Sequence, residues 1–172
     1  MLYRGTTIFW HQLTFFTVTD IPTKRDGRKE NATNTQAALQ LAALRWFSAQ
    51  GYEKAPVGTI CADAGVTVGA LYHHYGDKKG LFAAVAEQVD AQLVQQAANA
   101  QAATMASGGT PWDAFLASIN TVLQAGANAP LRRLMLVEAP AVLGAQVWGD
   151  IRQRQGLGAM RASIGALQAH GI

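Results

Sequence analysis

Residues 65–82 read GVTVGALYHHYGDKKGLF, and the reading of this stretch decides the fold. Gly65 and Val66 make a tight connection, Thr67 is an N-cap residue, and Val68 to about His74 is predicted to form a short helix. Leu71 and Tyr75 lie four apart on one side of it and should face a core. Thr67, Val68, Gly69, Tyr72 and His73 are left pointing outward. Such a set suits a duplex: Thr and Tyr hydroxyls bond phosphates, Val touches a thymine methyl, and Gly69 lets the backbone come close. Ordinary surface with a partly packed tyrosine is the alternative. Asp77 then caps a further helix, in which Leu81, Phe82, Val85, Val89 and Leu93 mark a buried stripe. Lys78 and Lys79 occupy its first turn, where cations oppose the helix dipole. That placement is better explained if this helix end faces phosphate.

Two helices are predicted upstream. Over residues 35–50, Leu39, Ala42, Ala43, Trp46 and Phe47 recur at one-face helical spacing. Asn34 or Thr35 can cap the start, and Gly51 sits where a left-handed residue closes the end. Pro56 takes a first-turn position, and Val57, Ile60, Cys61 and Ala64 repeat the pattern over a shorter helix ending at Gly65. Two short helices joined by a glycine turn form the geometry that sets a recognition helix into the major groove.

Leu39, Ala42, Ala43, Phe47, Gly51, Tyr52, Ile60, Ala64, Gly65, Val66, Thr67, Gly69, Leu71, Tyr72, His74, Tyr75, Lys78 and Leu81 together resemble the DNA-binding domain of the tetracycline repressor (TetR) family, without a gap over residues 35–82. The resemblance implies phosphate-contacting positions at Thr67, Tyr72 and Lys78, and positions near base edges at Val68, Gly69 and His73. Ala55, Pro56 and Gly58 depart from the family pattern, which puts phosphate contacts from the second helix in question.

Composition agrees with an all-α class: alanine is abundant, hydrophobic residues make up 49% and charged residues 15%. Net charge is +3, and the excess is N-terminal: residues 1–82 hold nine Lys/Arg against six Asp/Glu, while residues 83–172 hold five of each. A basic bias there suits a polyanion. The lone Cys61 excludes an intramolecular disulfide and a cysteine metal cluster and fits a reducing, cytoplasmic setting. Residues 7–21 are apolar and aromatic but too short and polar to span a bilayer, and no small-x-small site follows to suggest export. Residues 1–34 are therefore read as a flexible extension. Its run Lys24, Arg25, Asp26, Gly27, Arg28, Lys29 is either a basic arm reaching DNA or a solvated linker.

Beyond Leu93 an Ala/Gln-rich helix fades into Ser107, Gly108 and Gly109. Thr110, Pro111 and Asp113 supply an N-cap, a first-turn proline and an N3 acid for a helix with Trp112, Phe115, Leu116, Ile119 and Leu123 along its apolar stripe, ending before Asn128. Pro130 opens another helix through Glu138, Pro140 interrupts it, and a last helical stretch runs from about Ala145 to Ala169. Residues 132–158 resemble the ligand-domain middle of one branch of the same family. The expected architecture is thus a helix-turn-helix domain over residues 35–82, joined through a fourth helix to a helical effector-binding and dimerisation domain over residues 83–172, apparently shortened at its end. Trp112, Phe115, Met135, Leu143 and Trp148 are candidates to line an effector pocket, although such residues more often form core.

The reading that follows is a repressor-type dimer on a near-palindromic duplex operator, released by a small-molecule effector, with no cofactor, no metal and no membrane attachment. The alternatives are an all-helical small-molecule-binding protein and an enzyme. His11, His73, His74 and His170 have no nucleophile or carboxylate partner at motif spacing, and the adjacent His73 and His74 diverge on a helix, so neither catalysis nor a metal site is expected.

Overall fold

The computed structural model describes residues 27–169, and among them there is no strand. The first helix, α1 (Gly27–Gln50), begins eight residues before the expected start at residue 35. Arg28, Lys29, Glu30 and Ala32 are good helix formers, but a polar turn carries no apolar periodicity by which to see it. Arg28 and Lys29 of the basic run therefore have helical backbone, and Asn34 and Thr35 are interior helical residues rather than caps. Lys24, Arg25 and the apolar stretch 7–21 lie outside the described residues.

Next come α2 (Val57–Asp63) and α3 (Val68–Tyr75). Pro56 serves as the N-cap of α2. Between the two helices Gly65 takes φ +68°, a left-handed conformation that strains a residue with a Cβ. Gly65 N–H donates to Ala62 O and Val66 N–H to Cys61 O, the paired bonds that close a helix and turn the chain. Thr67 then accepts at Oγ1 from Ala70 N–H (3.2 Å), and Asp77 accepts at Oδ1 from Gly80 N–H (2.6 Å), so both expected caps form.

The 29-residue helix α4 (Lys78–Ala106) is about 43 Å long and runs from this head into the rest of the chain. Helix α5 (Pro111–Ala127) returns along it, opened by a capping box between Thr110 and Asp113. The Thr110 hydroxyl (2.7 Å) and the Thr110 N–H (3.0 Å) both donate to Asp113 Oδ2 and hold this exposed carboxyl below the usual carboxylate range. After Asn128, α6 (Ala129–Arg133) passes through a π-helical turn, Leu134–Glu138, into α7 (Ala139–Leu143). Pro140 does not interrupt this helix. The wider turn before it absorbs the missing N–H, and the stop falls at Gly144, where φ is +88°. Helix α8 (Ala145–Arg152), a second π-helical turn (Gln153–Leu157) and α9 (Gly158–Ala169) make up the expected last stretch.

One continuous core joins head and body. Leu39, Ala42, Ala43 and Phe47 of α1, Ile60 and Cys61 of α2, Leu71 of α3 and Leu81, Phe82 and Val85 of α4 are buried, and the cluster continues through Leu134, Met135, Ala139, Leu143, Trp148 and Ile151. Phe47, Tyr52 and Phe82 interlock with ring centroids 5.0–5.9 Å apart, tilted or edge-on, pinning the end of α1 to the start of α4. Each such pair adds roughly 0.5–1.5 kcal/mol beyond the area it buries.

Candidate nucleic-acid interface

Helix α3 is divided as its sequence predicts. Leu71 is fully buried, and the Tyr75 hydroxyl donates to Gln36 O on α1 at 3.2 Å. Thr67, Val68, Gly69, Tyr72 and His73 are all exposed. Tyr72 and Val68 stand 52% and 41% open, large apolar surface for a small helix to leave in water without use. A Cβ built on Gly69 would meet only Thr67 Oγ1, at 3.7 Å, so no packing among the described residues requires glycine there. Thr67 accepts with its oxygen and keeps its hydroxyl proton for an outside acceptor.

The two lysines at the start of α4 differ. Lys78 Nζ donates to Glu53 O at 3.3 Å and lies 4.6 Å from the centre of the Tyr52 ring, so it also fastens the connection between α1 and α2. That leaves it donors for phosphate, but the structural task was not legible in its position. Lys79 is exposed beside it. His73 and His74 rings sit 5.2 Å apart, edge-on, and no cluster of three His, Cys, Asp or Glu suited to a metal occurs among the described residues. Cys61 is buried, which pushes its thiol pKa up and away from reactivity.

Comparison with known proteins matches both parts of the chain. Residues 41–85 match the family model "Bacterial regulatory proteins, tetR family", and residues 112–172 match "Tetracyclin repressor-like, C-terminal domain". A crystal structure of a TetR-family transcriptional regulator from Pectobacterium atrosepticum superimposes with a TM-score of 0.67 at 33% identity, over 86% of this chain and 72% of that one. The chain belongs to the TetR family. Curated relatives include the HTH-type transcriptional repressor AcnR of Corynebacterium glutamicum, 35% identical over 66 residues, and the HTH-type transcriptional regulator AcrR of Shigella flexneri, 38% identical over 65. Each alignment covers 38% of this chain, and the chain spans about a third of these relatives' own length: 35% of AcnR and 30% of AcrR.

In this TetR-family chain the body grips the head through two side chains that sequence reading passed over. Arg133 donates from Nη2 to Phe47 O (3.2 Å) and Ser48 O (2.9 Å), carbonyls at the C-terminal end of α1 where a cation is favoured. Glu138 Oε2 accepts from Tyr52 N–H at 3.0 Å, and its Oε1 stands 3.3 Å from Arg133 Nε. Gly51, at φ +85°, admits this carboxylate: a Cβ there would lie 2.5 Å from Glu138 Oε1. Nothing in the spacing of two charged residues 85 or 86 positions downstream announces such a clasp.

The body also contains a cavity of about 120 Å³ between α4, α5 and α9. Of the five sequence candidates, Phe115 lines it. Met135, Leu143 and Trp148 are instead buried in the continuous core, and Trp112 is exposed with its ring 5.7 Å from that of Phe115. Helical periodicity says that these residues face inward but not which inner surface they meet. Asp90, on the cavity wall, is the residue that reading by apolar stripes missed.

Proposed function

We propose that the chain is a sequence-specific DNA-binding transcriptional regulator, a repressor that a small molecule releases. The observation that carries it is the two-sidedness of α3, with Leu71 sealed and Thr67, Val68, Gly69, Tyr72 and His73 bare. Similarity to the HTH-type regulators AcnR and AcrR favours the same reading. Val68, Gly69 and His73 read base edges, while Thr67, Tyr72, Lys78 and Lys79 hold phosphates. Two heads on a near-palindromic duplex lie about 34 Å apart, one DNA turn. The second copy is drawn to the open apolar side of the body, and the setting is the cytoplasm, where the operator is. Among the described residues no helix is long and apolar enough to cross a membrane.

The cavity between α4, α5 and α9 is the effector site of this reading. An effector acts only by binding one head spacing better than the other, and Arg133 with Glu138 is the route by which the body moves α1. Fluorescence anisotropy on duplexes selected from a random pool tests the proposal. His73→Ala should change base preference by about 1–3 kcal/mol. Lys79→Ala should weaken all sequences alike and reduce the salt slope by about one unit. Failure of the folded protein to retain any duplex in dilute salt would sink the reading.

A further inference from the structure

The cavity wall is largely apolar, with Leu93, Phe115, Ile119 and Val122 on facing helices, but Gln101, Ser118, Arg152 and Ser163 also reach it and it holds a carboxylate. Asp90 is 99% buried, and its Oδ2 has no hydrogen-bond partner. Leaving an acceptor in that state costs on the order of 1–3 kcal/mol, more if charged, so a stable chain retains it only for a purpose or a missing partner. The charge of Arg152 in the same cavity acts on Asp90 through space, but the two make no direct ion pair, and the guanidinium lies 5.7 Å from the Trp148 ring centre. Arg154 pairs elsewhere, with Glu87 at 3.2 Å. The unmet group in the cavity is therefore an acceptor, and what is wanting is a donor.

Gly156, in the second π-helical turn, keeps the space beside the carboxylate open. A Cβ there would lie 3.8 and 4.0 Å from the two Asp90 oxygens and 3.6 Å from Val94. These are ordinary contact distances, so an alanine would fit and would occupy room now free. The volume is close to the roughly 150 Å³ of a dry cavity known to hold one benzene ring.

We propose that this cavity binds a small apolar amine, one ring or its equivalent in size, as the cation with its ammonium donating to Asp90. The proposal rests on reading the cavity as the effector site and names the chemical class it takes. A protonated amine supplies the charge-assisted donor that Asp90 lacks, while its hydrocarbon part covers Phe115 and Ile119. A hydrocarbon of the same shape leaves the carboxylate unmet. A carboxylate of that shape sets a second negative charge beside Asp90.

Calorimetric titration of the full chain without DNA tests this, using benzylamine, benzyl alcohol, toluene and benzoate as probes. Benzylamine should bind at least tenfold tighter than toluene, benzyl alcohol should fall between them, and benzoate should be weakest. Asp90→Asn should bring benzylamine and toluene to within about threefold of each other. Gly156→Ala, which keeps the charge, should weaken the ring probes together. Preference for benzoate, an unchanged benzylamine-to-toluene ratio in Asp90→Asn, or no binding of any probe by folded protein overturns the proposal. Duplex binding is measured on the same preparations. Loss of duplex binding alone refutes the regulator reading and leaves the probe ranking intact.

Discussion

In the head, Leu39, Phe47, Ile60, Leu71 and Phe82 are wholly buried, whereas in the body Leu116, Leu123, Leu136 and Val137 stand 46–68% exposed. Both regions are helical and they share a core, so the difference does not lie in secondary structure. The head buries its main apolar stripe within one chain, and its open apolar side chains, Leu41, Val68 and Tyr72, are few. The body leaves apolar faces open on α5 and the first π-helical turn, and an unmet carboxylate inside. Large exposed apolar patches and orphaned buried acceptors both mark surfaces shaped by something absent from a single chain.

Substitution should separate the regions most sharply at their apolar residues. Phe47→Ala removes the ring that contacts Tyr52 and Phe82 and should cost about 3–5 kcal/mol in urea unfolding followed by circular dichroism. Leu123→Ser, at an equally apolar position of the body, should cost under about 0.5 kcal/mol at low protein concentration. A large loss at Leu123 under those conditions would mean that the body is sealed in solution and would erase the contrast.

The clasp between the regions comes next. Glu138→Ala leaves Tyr52 N–H and Arg133 without their partner and should cost about 1–3 kcal/mol. Anisotropy should show duplex affinity less sensitive to any cavity ligand, while calorimetry shows that ligand still bound. Arg133 is far more solvated, and Arg133→Ala should cost less than Glu138→Ala.

Asp90 supplies a test by pH. Burial lifts its carboxyl above the ordinary 3.8, and Arg152 pulls it partly back. The folded chain thus holds this proton more tightly than the unfolded one. Its contribution to stability is complete below the unfolded value and is lost as pH rises through the raised, folded one. Asp90→Asn should therefore gain on the parent as pH climbs through that window, by about 1.4 kcal/mol for each unit of displacement. A stability difference that stays flat with pH would remove the unmet carboxylate from the contrast between regions.

The smallest expected effect lies back in the head. Gly69→Ala should raise stability by about 0.5–1 kcal/mol, since an alanine suits a helix better and makes only an ordinary contact with Thr67 Oγ1, while weakening duplex binding. Improved stability with unchanged duplex affinity would remove Gly69 from the interface.

These contrasts also explain what the sequence made legible. In the head the caps Thr67 and Asp77, the turn at Gly65 and the stripes of α1 to α4 are local signals, each settled within a few residues, and the exposed set on α3 follows from Leu71 and Tyr75 by geometry alone. The start of α1 escaped because residues 27–34 carry no apolar period. In the body the helices were visible but their faces were not. Phe115 and Met135 are both apolar and inward, and only the packing of α4 against α5 and α9 decides which meets a cavity. Arg133 and Glu138 act through partners remote in sequence, and Asp90 is enclosed by residues remote in sequence, so composition and spacing are silent about them.

The π-helical turn at Leu134–Glu138 has a geometric consequence for the clasp. Five residues along an α-helix amount to about 1.4 turns, which would aim Arg133 and Glu138 some 140° apart. The wider winding brings residues five apart close to one full revolution, so both can reach the end of α1 together. Tightening that winding by a single residue would swing Glu138 by about 100° and shift it about 1.5 Å, freeing Tyr52 N–H while Arg133 keeps its carbonyls. Helical pitch at this one place thus sets whether the head is gripped by two fingers or by one.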